Sequence, residues 1–129
     1  MVEQKFYIGN YKEDAKKDRG WFIGHFIEDE IRKTTQLEIK YWEFEKEQDS
    51  GHLLKVQRNA TEYTFILEGE IVGRVEDKVV DLKKEDYIII KPGVVNNLVE
   101  KVIEKAKGIT IKVPSIGNDT VKIKKEFYG

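Results

Sequence analysis

Short apolar runs with alternating polar positions recur along the chain, broken every few residues by Gly, Pro or clustered charge; this rhythm predicts strands almost throughout. Residues 5–9 read as a short strand, and the charged stretch 11–19 as one or two helical turns that stop at Gly20. Residues 21–27 are aromatic and β-branched. They predict a strand buried on both faces, with Gly24 marking a close approach. Residues 37–45 alternate strictly except at Tyr41-Trp42, where the phase slips, and a β-bulge is expected there. After the turn Asp49-Ser50-Gly51, residues 52–58 form a strand with Leu54 and Val56 on one face and Leu53, Lys55 and Gln57 on the other.

The strongest pattern spans residues 62–97. Two apolar strands, 63–72 and 86–91, flank an excursion that turns through Glu76-Asp77-Lys78, and Gly69, Gly73 and Pro92-Gly93 read as turns. Residues 98–103 and 108–113 add two more short strands, and 121–127 reads as an edge strand or a tail helix. Ile66, Ile88, Ile90, Ile109 and Ile111 are the expected core. Many short strands between turn signals predict an all-β sandwich or barrel of two antiparallel sheets.

Composition narrows the function classes. At 129 residues the chain suits one domain, residues 1–129. Lys plus Arg number 23 against 24 Asp plus Glu, so no basic surface is offered to nucleic acid. The absence of Cys excludes disulfides, thiol catalysis and thiolate metal sites. With no long apolar run and no signal peptide at its start, the chain is expected to be soluble and cytoplasmic, without a membrane partner.

Few residues offer chemistry. His25 alternates with Trp21, Ile23 and Ile27; if that face looks inward it can serve as a base or hydrogen-bond donor, against the plainer role of a buried, satisfied histidine. His52 follows a turn and is expected in solvent. The aromatic runs are mostly core, with some available to line a ligand pocket. No phosphate-binding or dinucleotide motif is present.

The spacing Glu62-x6-Gly69, followed by Pro92-Gly93 and Asn96-Asn97, resembles the two motifs of the cupins, G-x5-H-x-H-x3-4-E-x6-G and G-x5-P-x-G-x2-H-x3-N. Glu85 stands where the second motif opens on Gly. Residues 20–27 and 109–115 resemble the ends of a group of uncharacterised bacterial cupin-like proteins. The resemblance implies a double-stranded β-helix, or jelly-roll barrel, with Glu62 and Thr64 pointing inward. The motif histidines map onto Lys55 and Gln57, or Val56 and Arg58 with the shorter gap, and onto Asn96. A protonated lysine cannot ligate and amides are weak ligands, so neither a metal nor another cofactor is expected. An inward Glu62 needs a cation such as Lys55 or Arg58. The candidate pocket is therefore His25, Lys55, Gln57, Glu62, Thr64 and Asn96. A metal-free domain that binds a small molecule or a protein partner is expected. The alternative is a metal-independent isomerase or epimerase acting on a carbohydrate or sugar nucleotide. A homodimer is expected from the apolar surplus of residues 5–9 and 21–27.

Overall fold

The computed structural model describes residues 4–123. One helical turn, α1 (Tyr11–Asp14), precedes eight strands: β1 (Trp21–Ile23), β2 (Glu38–Phe44), β3 (Lys55–Gln57), β4 (Thr61–Val75), β5 (Lys78–Lys83), β6 (Tyr87–Ile90), β7 (Asn96–Val113) and β8 (Thr120–Lys122). Asn10 caps α1 by accepting the Glu13 amide at 3.1 Å. Among the described residues no helix is long and apolar enough to cross a membrane.

The architecture hangs on β4 and β7, which pair antiparallel from Thr61 opposite Val113 to Val75 opposite Asn96. Register shifts between Ile66 and Arg74 bend the pair, as bulges do. On one side of the bend β6 joins β4, and β2 followed by β1 joins β7. On the other, β5 joins β4, and β3 followed by β8 joins β7. The core lies between these halves, where Trp42 and Ile90 of the first pack with Ile71, Leu82, Leu98 and Val102 of the second. The curled antiparallel sheet is the predicted all-β barrel of two sheets.

Several local expectations are corrected. The runs 98–103 and 108–113 are one strand, because the charged stretch between them is the bend of β7 and not a turn. Gly69 and Gly73 likewise lie inside β4. At Gly69 (φ 82°) a β-carbon would stand 2.0 Å from the Lys105 carbonyl oxygen, so the bend needs glycine for both conformation and space. Pro92-Gly93 is a turn, and Glu85 adopts φ 78°, the left-handed geometry that glycine would supply there.

No bulge interrupts β2 at Tyr41-Trp42; its register with β7 is continuous from Glu38 to Phe44. The apparent slip arises because both faces are covered there. Trp42 points into the core, while Tyr41 on the outer face packs tilted against Tyr11 of α1, ring centroids 5.1 Å apart. The strand expected over 21–27 ends at Ile23, since the Gly24 backbone leaves the ladder to bond Arg32 and Thr34. Residues 5–9 form no strand, and Phe6 and Ile8 are exposed. Of the run 121–127, residues 121–122 belong to β8, and positions beyond 123 lie outside the described residues.

Ile109 and Ile111 are not in the barrel core. They face outward in two registered apolar rows, Ile89–Tyr63–Ile111–Ile39 and Tyr87–Phe65–Ile109–Tyr41. The inner face of the same stretch of β7 carries Ala106, Gly108 and Thr110 instead. Gly108 leaves the slot for the Trp42 ring, which a β-carbon would approach to 2.0 Å. The Trp42 indole N–H donates to Thr110 Oγ1 at 3.1 Å.

Candidate functional site

Beside the core the interior opens into a cavity of about 80 Å³, lined by Trp21, Lys40, Trp42, His52, Lys55, Glu62, Thr64, Asn96, Asn97, Thr110 and Lys112 with Leu98 and Val99. A wider cleft of about 700 Å³ shares His52, Asn97 and Val99 with it and adds Leu53, Leu54, Arg74 and Ile123. Together they offer a small inner chamber and a wider approach, whose wall also carries Asp49, Glu100 and Lys122.

Glu62 is the centre of the polar cluster and only 4% exposed. Lys55 Nζ donates to Glu62 Oε1 at 2.8 Å and to Gln57 Oε1 at 3.2 Å. Thr64 Oγ1 lies 3.4 Å from Glu62 Oε2 and 2.9 Å from Thr110 Oγ1. These contacts follow from strand alternation: positions 62 and 64 of β4 and 110 and 112 of β7 point to the same side, directly opposite one another. Of the two mapped pairs, Lys55 and Gln57 are the inward one.

Lys55, Glu62, Thr64 and Asn96 thus line one cavity. Gln57 reaches it only through Lys55. Its amide nitrogen donates to Thr120 Oγ1 at 2.8 Å and to Asp119 Oδ2 at 3.3 Å, on the far side of β3. His25 is not brought in. Beyond the end of β1 its Nδ1 lies 2.7 Å from Ser115 Oγ, which also takes the His25 amide at 3.0 Å and donates to Glu38 Oε1 at 3.0 Å. Ser115 is buried and is the middle member of this chain, so the trio locks the loop after β7 and is not arranged for nucleophilic attack.

The sequence reading missed Lys40, Lys112, His52 and Asn97. Lys40 and Lys112 come from adjacent strands and lie over the Trp21 ring at 5.5 and 5.2 Å. Burial lowers the ammonium pKa of both, and the neighbouring charge of Lys55 lowers it further.

His52 is exposed, as expected after its turn, yet its ring stands edge-on to Phe44 at 5.7 Å and in the wall shared by chamber and cleft. Desolvation there, reinforced by Lys40 and Lys55, lowers its pKa to about 4. Neutral imidazole is therefore expected throughout the physiological range. A proton NMR titration should place the midpoint near 4, against an ordinary 6.5; a midpoint at or above 6 would show the ring to be solvated. Because the folded value is depressed, this histidine's contribution to stability is full above 6.5 and falls away as pH drops toward 4.

The arrangement does not suit the metal that cupin barrels commonly carry. Among the described residues no three His, Asp or Glu side chains converge. The one carboxylate at the expected place is already engaged by an ammonium group at 2.8 Å.

No family model matches the sequence, and no curated protein matches it significantly. Solved structures do resemble the fold. An uncharacterised Klebsiella pneumoniae protein with a double-stranded β-helix domain is 18% identical, with a TM-score of 0.66 over 94% of this chain and 100% of that one. Pac13 of Streptomyces, a nucleoside dehydratase, is 10% identical, with a TM-score of 0.58 over 70% of this chain and 71% of its own. KdgF from a Halomonas species is 13% identical, with a TM-score of 0.55 over 66% of this chain and 74% of that one. At such identities the likeness concerns the fold alone: this chain has a cupin-like, double-stranded β-helix fold.

Proposed function

We propose that this protein is a metal-independent cupin-like domain that binds a small molecule in the barrel chamber, with the wider cleft as its approach. The observation that supports this reading is the Lys55–Glu62 pair at 2.8 Å inside the chamber, since a protonated lysine cannot ligate a metal and it already engages the carboxylate. Exhaustive chelation should leave the melting temperature unchanged, while a fitting small molecule should raise it in proportion to the logarithm of its concentration. A stoichiometric transition metal in protein purified without added metal, with a lower melting temperature on its removal, would overturn the proposal.

The second reading is a metal-independent isomerase or epimerase acting on a carbohydrate or sugar nucleotide. It is favoured by a neutral His52 on the chamber wall, a group able to accept a proton from a bound substrate. Product formation from sugar nucleotides, lost in His52→Gln, would select it over binding alone.

A homodimer is also proposed, with the outer face of β6, β4 and β7 as the contact. Tyr87, Ile89, Phe65 and Val113 are exposed there, Ile89 in register with Tyr63 and Ile111 and Tyr87 with Phe65, an apolar surface of the kind that pairs with its own copy. Light scattering should give the dimer mass, and Phe65→Asp should shift it toward the monomer. A monomeric wild type at tens of micromolar would remove the idea.

A further inference from the structure

Two of the ammonium groups in the chamber have no carboxylate of their own. Lys55 is matched by Glu62, but among the described residues neither Lys40 nor Lys112 forms an ion pair or side-chain hydrogen bond; each rests only on the Trp21 ring. Glu38, the other carboxylate near Lys112, accepts from Ser115 at 3.0 Å. The chamber therefore holds three ammonium groups around a single carboxylate. Lys40 stands opposite Thr110 and Lys112 is two residues further along the same strand face, a diagonal neighbour close enough for one small anion to meet both.

A second observation is independent of charge. Asn96 and Asn97 both line the chamber, are almost wholly buried, and spend their amide nitrogens on the Val94 and His52 carbonyls, at 3.1 and 3.2 Å. The side-chain carbonyl oxygen of each has no hydrogen-bond partner. Buried acceptors are normally satisfied, and leaving one unpaired is costly. Two such acceptors beside two unmatched ammonium groups describe a ligand with an oxyanion at one atom and a hydrogen-bond donor close by.

We infer that the chamber binds a small organic oxyanion, a carboxylate or phosphate monoester, between Lys40 and Lys112, with an adjacent hydroxyl or amino group donating to Asn96 or Asn97. The chamber's roughly 80 Å³ suits a head group of this size, and a larger body would extend past His52 into the cleft lined by Leu53, Leu54 and Ile123. The inference rests on the reading of the chamber as a small-molecule site and specifies what enters it. An arriving anion would also relieve the repulsion among Lys40, Lys55 and Lys112 that lowers the pKa of Lys40 and Lys112.

Calorimetric titration of the full chain at low ionic strength, using matched probes, tests this. Lactate is set against lactamide and propionate, glycerol 3-phosphate against glycerol, and the neutral molecules glucose and uridine complete the set. At least one hydroxylated anion should bind, with its uncharged counterpart weaker by about tenfold or more, the factor that about 1.4 kcal/mol of lost interaction gives. The arm that binds names the head group. Lys40→Met and Lys112→Met should each weaken that anion about tenfold while melting at or above the wild-type temperature, since each removes an unmatched like charge. Asn96→Ala should narrow the preference for lactate over propionate if the carboxylate arm is the one that binds. Binding of glucose or uridine with no effect of either Met variant would overturn the oxyanion assignment and leave the binding reading standing. Failure of every probe, charged and neutral, would overturn both.

Discussion

Glu62→Gln is expected to lower the melting temperature by roughly 10–15 °C, on the order of 3 kcal/mol, the lower end of the cost of breaking a buried ion pair. The substitution preserves volume, so the loss reports charge and not a cavity. Without the carboxylate, Lys55 faces Lys40 and Lys112 in the same chamber with no opposite charge to hold it. Adding Lys55→Met should restore most of the loss, because removing both partners of a buried pair is far less harmful than removing one. Calorimetric or urea unfolding of the two variants decides it. A loss below about 1 kcal/mol for Glu62→Gln would place the pair among surface salt bridges, which contribute little.

Asp119→Ala is expected to cost about 2–4 kcal/mol, read from the same unfolding curves, through a different mechanism. Asp119 Oδ1 accepts from the Asn59 amide at 2.8 Å and the Asn59 side chain at 3.1 Å; Oδ2 accepts from the Ala60 amide at 3.0 Å and Gln57 at 3.3 Å. One carboxylate thus ties the β3–β4 loop to the turn that leads into β8. Burial works to raise its pKa, but the Ala60 and Asn59 amides with the two side-chain donors outweigh burial and hold it below the ordinary 3.8. A depressed carboxylate contributes its full stability above the unfolded value and loses it as pH falls through the folded one. The gap between wild type and variant should therefore be constant at neutral pH and close below 3.8. A gap that persists unchanged to pH 2 would mean the carboxylate charge is not what ties the loop.

The fold was legible because turn chemistry and the spacing of Glu62, Gly69 and Pro92-Gly93 belong to backbone geometry, which short-range pattern records well. The inward pair Lys55 and Glu62 came from the same spacing. What pattern could not locate was a polar interior backed by an apolar exterior. The usual rule puts hydrophobic residues inside. On β2 and β7, however, Lys40, Thr110 and Lys112 face the chamber while Ile39, Ile109 and Ile111 face outward. The rule therefore inverts that stretch of β7 and assigns Ile109 and Ile111 to the core and Lys112 to water. The signal that was present is the company Lys40 keeps, two residues before Trp42 on one strand face. His25 failed for another reason: alternation carries a residue to the inner face only while the strand lasts, and β1 stops at Ile23.

The chain contains two tryptophans, Trp21 and Trp42, and both line the chamber. Indole emission from this protein therefore originates entirely at the proposed site. Trp21 lies against two ammonium groups, and an anion settling between them would change the field across that ring, shifting or quenching its fluorescence. Ligand entry becomes an optical event that stopped-flow mixing can follow without a label, with Trp21→Phe and Trp42→Phe dividing the signal between the ring under the lysines and the ring slotted over Gly108.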